Sequence, residues 1–261
     1  MAAALLVGAV AARESCADPA MKPRVDVAAI IRQSVDANNR NWAAAPDYQY
    51  LETDRQAGGS ETYRVRMLYG SPYRELVAAN GRRLPPDRQS DEQRKLQQAI
   101  ATRKAETPAQ HAERVSEYEK GRTRDHILQS QLAKAFDFHF IAQQNLDGRT
   151  VYELQATPRA DYSPPNRDAR VLTGMEGKLW IDVKTDQWVQ VQARVIHPVA
   201  IVGFLAVVEP GTRFALQYAS VGDGIWMPTR FLMKSRARVL YFFSHRDQAD
   251  ETYSDYRPSS R

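Results

Sequence analysis

The sequence predicts an α+β protein that is mainly β: one strongly curved antiparallel sheet of about ten or eleven strands, an amphipathic helix at its N-terminal end and a helical insertion at its centre. Three observations carry this. Apolar and polar residues alternate through most of the chain, glycine-containing turn pairs recur between the alternating runs, and two regions change to helical spacing.

The first helix is written in VDVAAIIRQSVDANNRNW, where Val27, Ile30, Ile31, Val35 and Trp42 form one stripe. The Asn38-Asn39 pair and Pro46 mark its end. The period then becomes two: Tyr63, Val65, Met67 and Tyr69 face one way and Thr62, Arg64 and Arg66 the other. Turns at Gly58-Gly59 and Asn80-Gly81 make this segment a three-strand meander. The insertion follows at about 87–134. Ser90 to Gln93 and Thr107 to Gln110 both fit a capping box, which places helices at about 91–106 and 108–120, with Gly121 as the stop and a short helical piece around Ile127, Leu128 and Leu132. Their apolar stripe is thin, mainly Leu96, Ile100, Val115 and Tyr118, as in a charged insertion lying on a β domain or an arm that docks a partner.

From Phe136 onward the pattern is strands. Phe136, Phe138 and Phe140 alternate with Asp137 and His139, and Asp147-Gly148 turns into VYELQAT. After the proline-rich loop RADYSPPNRDAR comes the ribbon EGKLWIDVKTDQWVQVQARV. In it Leu179, Ile181 and Val183 share one parity, Val189, Val191, Ala193 and Val195 another run of the same kind, and Asp186 can adopt the left-handed conformation that closes the turn. TRFALQYAS turns through Gly222-Asp223-Gly224 into IWMPTRFLMK, and RVLYFFS and ETYSDY complete the set. The run PVAIVGFLAVV does not alternate. It reads either as a strand buried on both faces, or two strands joined at Gly203, or as a hydrophobic flap with Phe204 and Leu205 at its tip.

Composition bounds the function. The 261 residues are 43% hydrophobic and 26% charged, with a formal charge of +5 spread among interleaved acids, which fits a folded protein with at most a weak attraction for anionic membrane surfaces and no nucleic-acid motif. The apolar run from Ala2 to Ala12 followed by Ser15-Cys16-Ala17 reads as a signal peptide over 1–17, leaving a single domain over 18–261 without cysteine. Arg13 stands where lipidation of Cys16 needs an apolar residue. No phosphate loop, nucleophile elbow or zinc motif is present, and His111, His126, His139, His197 and His245 lack metal-ligand spacing. The chain therefore reads as non-catalytic, with no cofactor and no metal. A deep polar cleft with coupled acids would instead favour a secreted hydrolase.

The segments GKLWIDVKTDQWVQVQA, EPGT leading into FALQY, and DGIWMPTRF resemble the bacterial outer-membrane lipoprotein-sorting proteins, the LolA-like group with its LolB and RseB types. The resemblance covers about two thirds of the chain; the insertion lies outside it. It implies an incomplete β-barrel closed by helices, periplasmic and monomeric, with lipid or lipoprotein acyl chains in its apolar concavity. Tyr63, Val65, Met67, Leu179, Ile181, Val189, Val191, Phe214, Leu216, Ile225, Met227 and Phe231 are then candidates to line that cavity, or to form ordinary core under the helices. Ile30 and Ile31 of the first helix and Phe204 and Leu205 of the flap are candidate lid residues. The same fold could instead serve an envelope sensor or scaffold that binds a protein partner.

Overall fold

The computed structural model describes residues 25–202, 206–239 and 243–259. The expected signal segment with Cys16, and the flap tip at Phe204 and Leu205, lie outside the described residues.

Helix α1 spans Val27–Ala44, and its first turn is capped by Asp26, whose carboxylate accepts from the Ala29 amide at 2.9 Å. It passes through Asn38-Asn39, the pair expected to end it, and gives way to a 3-10 turn over Ala45–Asp47 that contains Pro46. Asn39 and Asn41 are tolerated because their side chains bond to other elements, whereas Asn38 Nδ2 is buried without a partner. Asn38 and Asn41 are buried, and Asn39 Oδ1 lies 3.0 Å from His126 Nε2.

Strands β1 (Tyr48–Gln56), β2 (Gly59–Leu68), β3 (Ser71–Ala79) and the two-residue β4 (Arg82–Arg83) form the expected meander. Its Asn80-Gly81 turn holds both residues at positive φ. Two long helices follow, α2 (Pro86–Lys104) and α3 (Pro108–Ala135). Ser90 does not cap α2; the helix already begins at Pro86, with proline in its first turn, and the Ser90 hydroxyl donates to the Pro86 carbonyl. Thr107 does cap α3, in a full capping box with Gln110. α3 runs straight through Gly121 to Ala135. A glycine inside a helix costs about 1 kcal/mol, and contacts of α3 on both sides of it offset that. Tyr118 lines a cavity with Tyr50 and Val65 of the sheet, Arg122 donates to the Trp42 carbonyl of α1, and Gln129 donates to the Tyr218 hydroxyl at 3.1 Å.

Two arginines of the insertion fasten it to the turn between β2 and β3. Arg103 donates to the carbonyls of Leu68 and Ser71, each at 2.9 Å, and of Pro72 at 3.1 Å, while Arg114 donates to the Ser71 hydroxyl at 2.7 Å and the Tyr69 carbonyl at 3.0 Å. Two guanidinium groups thus grip the β2–β3 turn.

The remaining strands are β5 (Phe136–Leu146), β6 (Arg149–Pro158), β7 (Met175–Asp182), β8 (Trp188–Val195), β9 (Val199–Val202), β10 (Ala206–Val208), β11 (Arg213–Gly222), β12 (Ile225–Val239) and β13 (Phe243–Pro258). Among the described residues all belong to one thirteen-stranded antiparallel sheet ordered β4-β3-β2-β1-β13-β12-β11-β8-β7-β6-β5, with β10 attached to β12 and β9 to β10. The count exceeds the expected ten or eleven because β4 is very short and the apolar run at 198–208 divides into two antiparallel strands, as the second reading of that run required. The sheet is curved and not closed into a barrel. α3 touches both β3 and β5, strands near opposite edges, so the helices cross the concave face. A 3-10 segment, Asp168–Gly174, covers the far end of that face with Val171 and Leu172.

A buried polar latch holds the C-terminal half of α1 down. Asn41 donates to Gln187 Oε1 at 2.7 Å and accepts from the Trp226 amide at 3.0 Å, and Gln187 donates onward to the Gly224 carbonyl at 3.1 Å. Asn41→Ala removes two of these bonds and leaves buried partners unpaired, so the unfolding free energy is expected to fall by about 2 kcal/mol in chemical denaturation. A loss under about 0.5 kcal/mol would show that the latch carries no stability.

Candidate functional site

One transverse row of directly opposed residues defines the concave face: Leu154, Leu179, Val191, Leu216, Phe231, Glu251, Asp54 and Glu61. Opposed residues share a face of the sheet, so the row is apolar on strands β6 to β12 and acidic on β13, β1 and β2. The concave face is therefore divided.

The apolar sector lies under α1. Ile30 and Ile31 pack in one cluster with Leu154, Leu179, Ile181, Val189, Trp188 and Trp226, and Val191 and Leu216 sit against its margin. Burying the two isoleucines contributes about 1.5–3 kcal/mol each. Beyond them, the buried side of α1 is Ser34, Ala37, Asn38 and Asn41. Asn38 Nδ2 and, in the same cluster, Trp188 Nε1 are buried donors without a hydrogen-bond partner, each of which weakens the packed state.

The second sector is a cavity of about 310 Å³ between α1, α3 and strands β1 to β3, lined among others by Trp42, Tyr50, Val65, Arg66, Met67, Tyr118, Arg122 and His126. Arg122 and His126, four residues apart on α3, both pack on the Trp42 ring: the guanidinium lies 4.2 Å from its centroid and the imidazole is stacked at 4.6 Å. Arg122 also donates to the Trp42 carbonyl. Burial lowers the His126 pKa, so this ring is neutral at pH 7.

The third sector is an acid and tyrosine network. Arg74 donates at 2.7 Å to both Glu52 and Asp54 and lies 4.1 Å over the Tyr63 ring. Tyr63 donates to Glu61 at 2.5 Å, which with burial lifts its phenol to about 12, and Tyr253 donates to Glu251. Burial drives the Tyr50, Tyr253 and Tyr256 phenols far above their ordinary range. Burial also raises Glu52 to about 7, against the pull of Arg74 and with the help of the neighbouring Asp54. Coupled acids are thus present, but Arg74 and the tyrosines already engage them. No group of three or more metal-ligating side chains is found among the described residues.

The structure distributes the sequence-derived residues over all three sectors. Leu179, Ile181 and Val189 are buried under α1 with Ile30 and Ile31; Val191 and Leu216 border them. Val65 and Met67 line the α1–α3 cavity. Phe214 packs at the far end with Phe136, Met175 and Val195. Met227 is buried, Ile225 and Phe231 are half-buried, and Tyr63 belongs to the acid network. Sequence reasoning missed Glu52, Asp54, Arg74, Glu251 and Tyr253, and it missed the α3 side of the cavity. A signal was available: Tyr48, Tyr50, Glu52 and Asp54 share one parity, as do Glu251 and Tyr253.

No protein-family model and no curated protein matches the chain. Solved structures similar to it include a LolA superfamily protein from Nitrosomonas europaea, at 10% identity and a TM-score of 0.34, covering 91% of this chain and 96% of that one. A DUF1329 family protein from Desulfovibrio piger aligns at 12% identity and a TM-score of 0.30, covering 89% and 92%. MucB in complex with MucA(peri) aligns at 12% and 0.26, covering 91% and 100%. The first carries the family name that the hairpin segments resemble. Superpositions with TM-scores this low carry no functional argument. Among the described residues, no helix is long and apolar enough to cross a membrane.

Glu52 gives a pH prediction with a definite sign. Its folded pKa of about 7 lies above its ordinary 4.5, so the folded state holds this proton more tightly than the unfolded chain. The contribution is fully present below pH 4.5 and is lost as pH rises toward 7. Wild type should lose stability relative to Glu52→Gln across that window in denaturant titrations; parallel profiles would contradict the assignment.

Proposed function

We propose that this chain is a non-catalytic binding or carrier protein of the bacterial envelope, periplasmic in location, that holds the apolar chain of a lipid or lipidated protein on its concave face beneath α1. The observation that carries the reading is the quality of the α1 seat. A helix anchored by Ile30 and Ile31 with only Val27 and Val35 beside them, with a polar latch at one end and unpartnered buried donors beneath it, covers an apolar surface without sealing it as a core helix would. Displacing it uncovers Leu179, Ile181, Val189, Val191 and Leu216 together. Each acyl methylene buried there stabilises the complex by about 0.8 kcal/mol, so a short length of chain offsets the loss of the two isoleucines. Ile30 and Ile31 then occupy in the empty protein the place that cargo takes in the filled one.

A second reading, a scaffold for a protein partner, is favoured by a different observation. Among the described residues β5 ends the strand order, pairs only with β6, and exposes Phe140 and Ile141 at 37% and 52%. An exposed edge of this kind can accept an extended peptide as an added strand.

Locking the lid tests the first reading. With Asn41→Cys and Gln187→Cys joined as a disulfide in a Cys16→Ser background, uptake of a fluorescent fatty acid should fall at least tenfold and return on reduction. Unchanged uptake by the oxidised form would overturn the displacement mechanism.

A further inference from the structure

We infer that the convex face of the sheet, over strands β7, β8, β11 and β12, is a docking surface for a membrane rich in anionic phospholipid. The inference goes beyond the carrier reading and does not depend on what the concave face holds.

Strand register carries it. Residues of opposite parity to the apolar row Leu179, Val191, Leu216 and Phe231 lie on the other face of the sheet. There Glu176, Arg194, Arg213 and Lys234 stand in directly opposed positions on successive strands. Arg194, Arg213 and Lys234 thus form a transverse row of cations, one strand spacing of about 4.8 Å apart, and all of them are exposed. Like charges directly opposite one another weaken a sheet. Glu176 pairs with Arg194 at 2.5 Å, whereas among the described residues Arg213 and Lys234 enter no ion pair. Asp250, two residues along β13 from the position opposite Lys234, is engaged by Arg230 and Arg55. The row therefore keeps a repulsion that an anion outside the chain would offset.

A depression of about 450 Å³ opens beside the row, lined among others by Gln155, Lys178, Gln192, Arg194 and Arg213. Guanidinium and amide groups donate and phosphate oxygens accept, so the depression can seat a phosphate head. The surroundings decide the kind of partner. Gln190 and Gln217 continue the same face, and the exposed large hydrophobic residues among the described ones, Tyr69, Phe140 and Ile141, lie on other strands and turns. Protein interfaces are built around an apolar or aromatic centre. A face of cations and amides without one suits peripheral attachment to anionic lipid by charge. Docked this way, the sheet keeps α1 on the side away from the membrane.

Vesicle co-sedimentation of the full chain tests this, with phosphatidylcholine alone and with one part phosphatidylglycerol to three of phosphatidylcholine. The wild type should bind the mixed vesicles at least tenfold more tightly than the neutral ones, and that preference should vanish at about 1 M salt, where the Debye length is about 3 Å. Arg213→Gln and Lys234→Gln should each weaken binding to mixed vesicles about fivefold. Arg82→Gln with Arg83→Gln removes charge from the exposed β4 at the far edge of the sheet and should leave binding unchanged. Losses from the β4 pair equal to those from Arg213→Gln with Lys234→Gln would mean that net charge alone attracts the chain, and would overturn the assignment. Equal binding to both vesicles overturns it too, as does displacement from mixed vesicles by millimolar inorganic phosphate at constant ionic strength, which would make the depression a site for the free ion. Absence of binding to either vesicle at low salt also overturns it and turns the search to an acidic protein.

Discussion

An antiparallel sheet that curves without closing has a concave face which its own side chains do not fill. Much of this structure follows from that constraint. The apolar part of the face needs a cover, which α1, α3 and the 3-10 segment at Asp168–Gly174 supply from three separate parts of the sequence. The helical insertion gains its position the same way. Gripped by Arg103 and Arg114 at the β2–β3 turn, α3 reaches back across the concavity far enough to pack on Trp42 of α1. α1 is thus held by a second helix, itself tied to the meander.

Polarity along the concave row sets direction. From Leu154 to Phe231 every opposed residue is apolar; from Glu251 to Glu61 every one is an acid. The acids do not stand free. Arg74 pairs with Glu52 and Asp54, and Tyr63 and Tyr253 hydrogen-bond Glu61 and Glu251, which stiffens the pairing of the first and last strands of the chain. A cluster built this way organises the sheet at β13, β1 and β2.

Local features of the fold were legible in the sequence because local chemistry decides them. Asn80, Asp147, Asp186 and Asp223 all take positive φ at the turns their neighbours announced, and Thr107 caps its helix. Competing local signals were harder to rank. Pro86 begins α2 four residues before the Ser90 box, and Gly121 does not end α3 because its anchors lie on other elements. The acid sector is long-range altogether: Glu52 stands opposite Tyr253, which no window of sequence can bring together. The apolar site residues were legible as a face but not in their division, since parity shows which residues point one way and not which helix comes to lie on them.

The claim on which the account turns is that α1 is a displaceable cover and not a permanent layer of the core. Hydrogen exchange resolved along the chain, with and without decanoate, measures it directly. The account predicts that in the free protein the amides of Val27–Ala44 exchange by local opening, at far lower protection than β7 and β8 beneath them, and that their exchange changes on adding ligand while the sheet stays protected. Protection of α1 equal to that of β7 and β8, and unaffected by ligand, would contradict it.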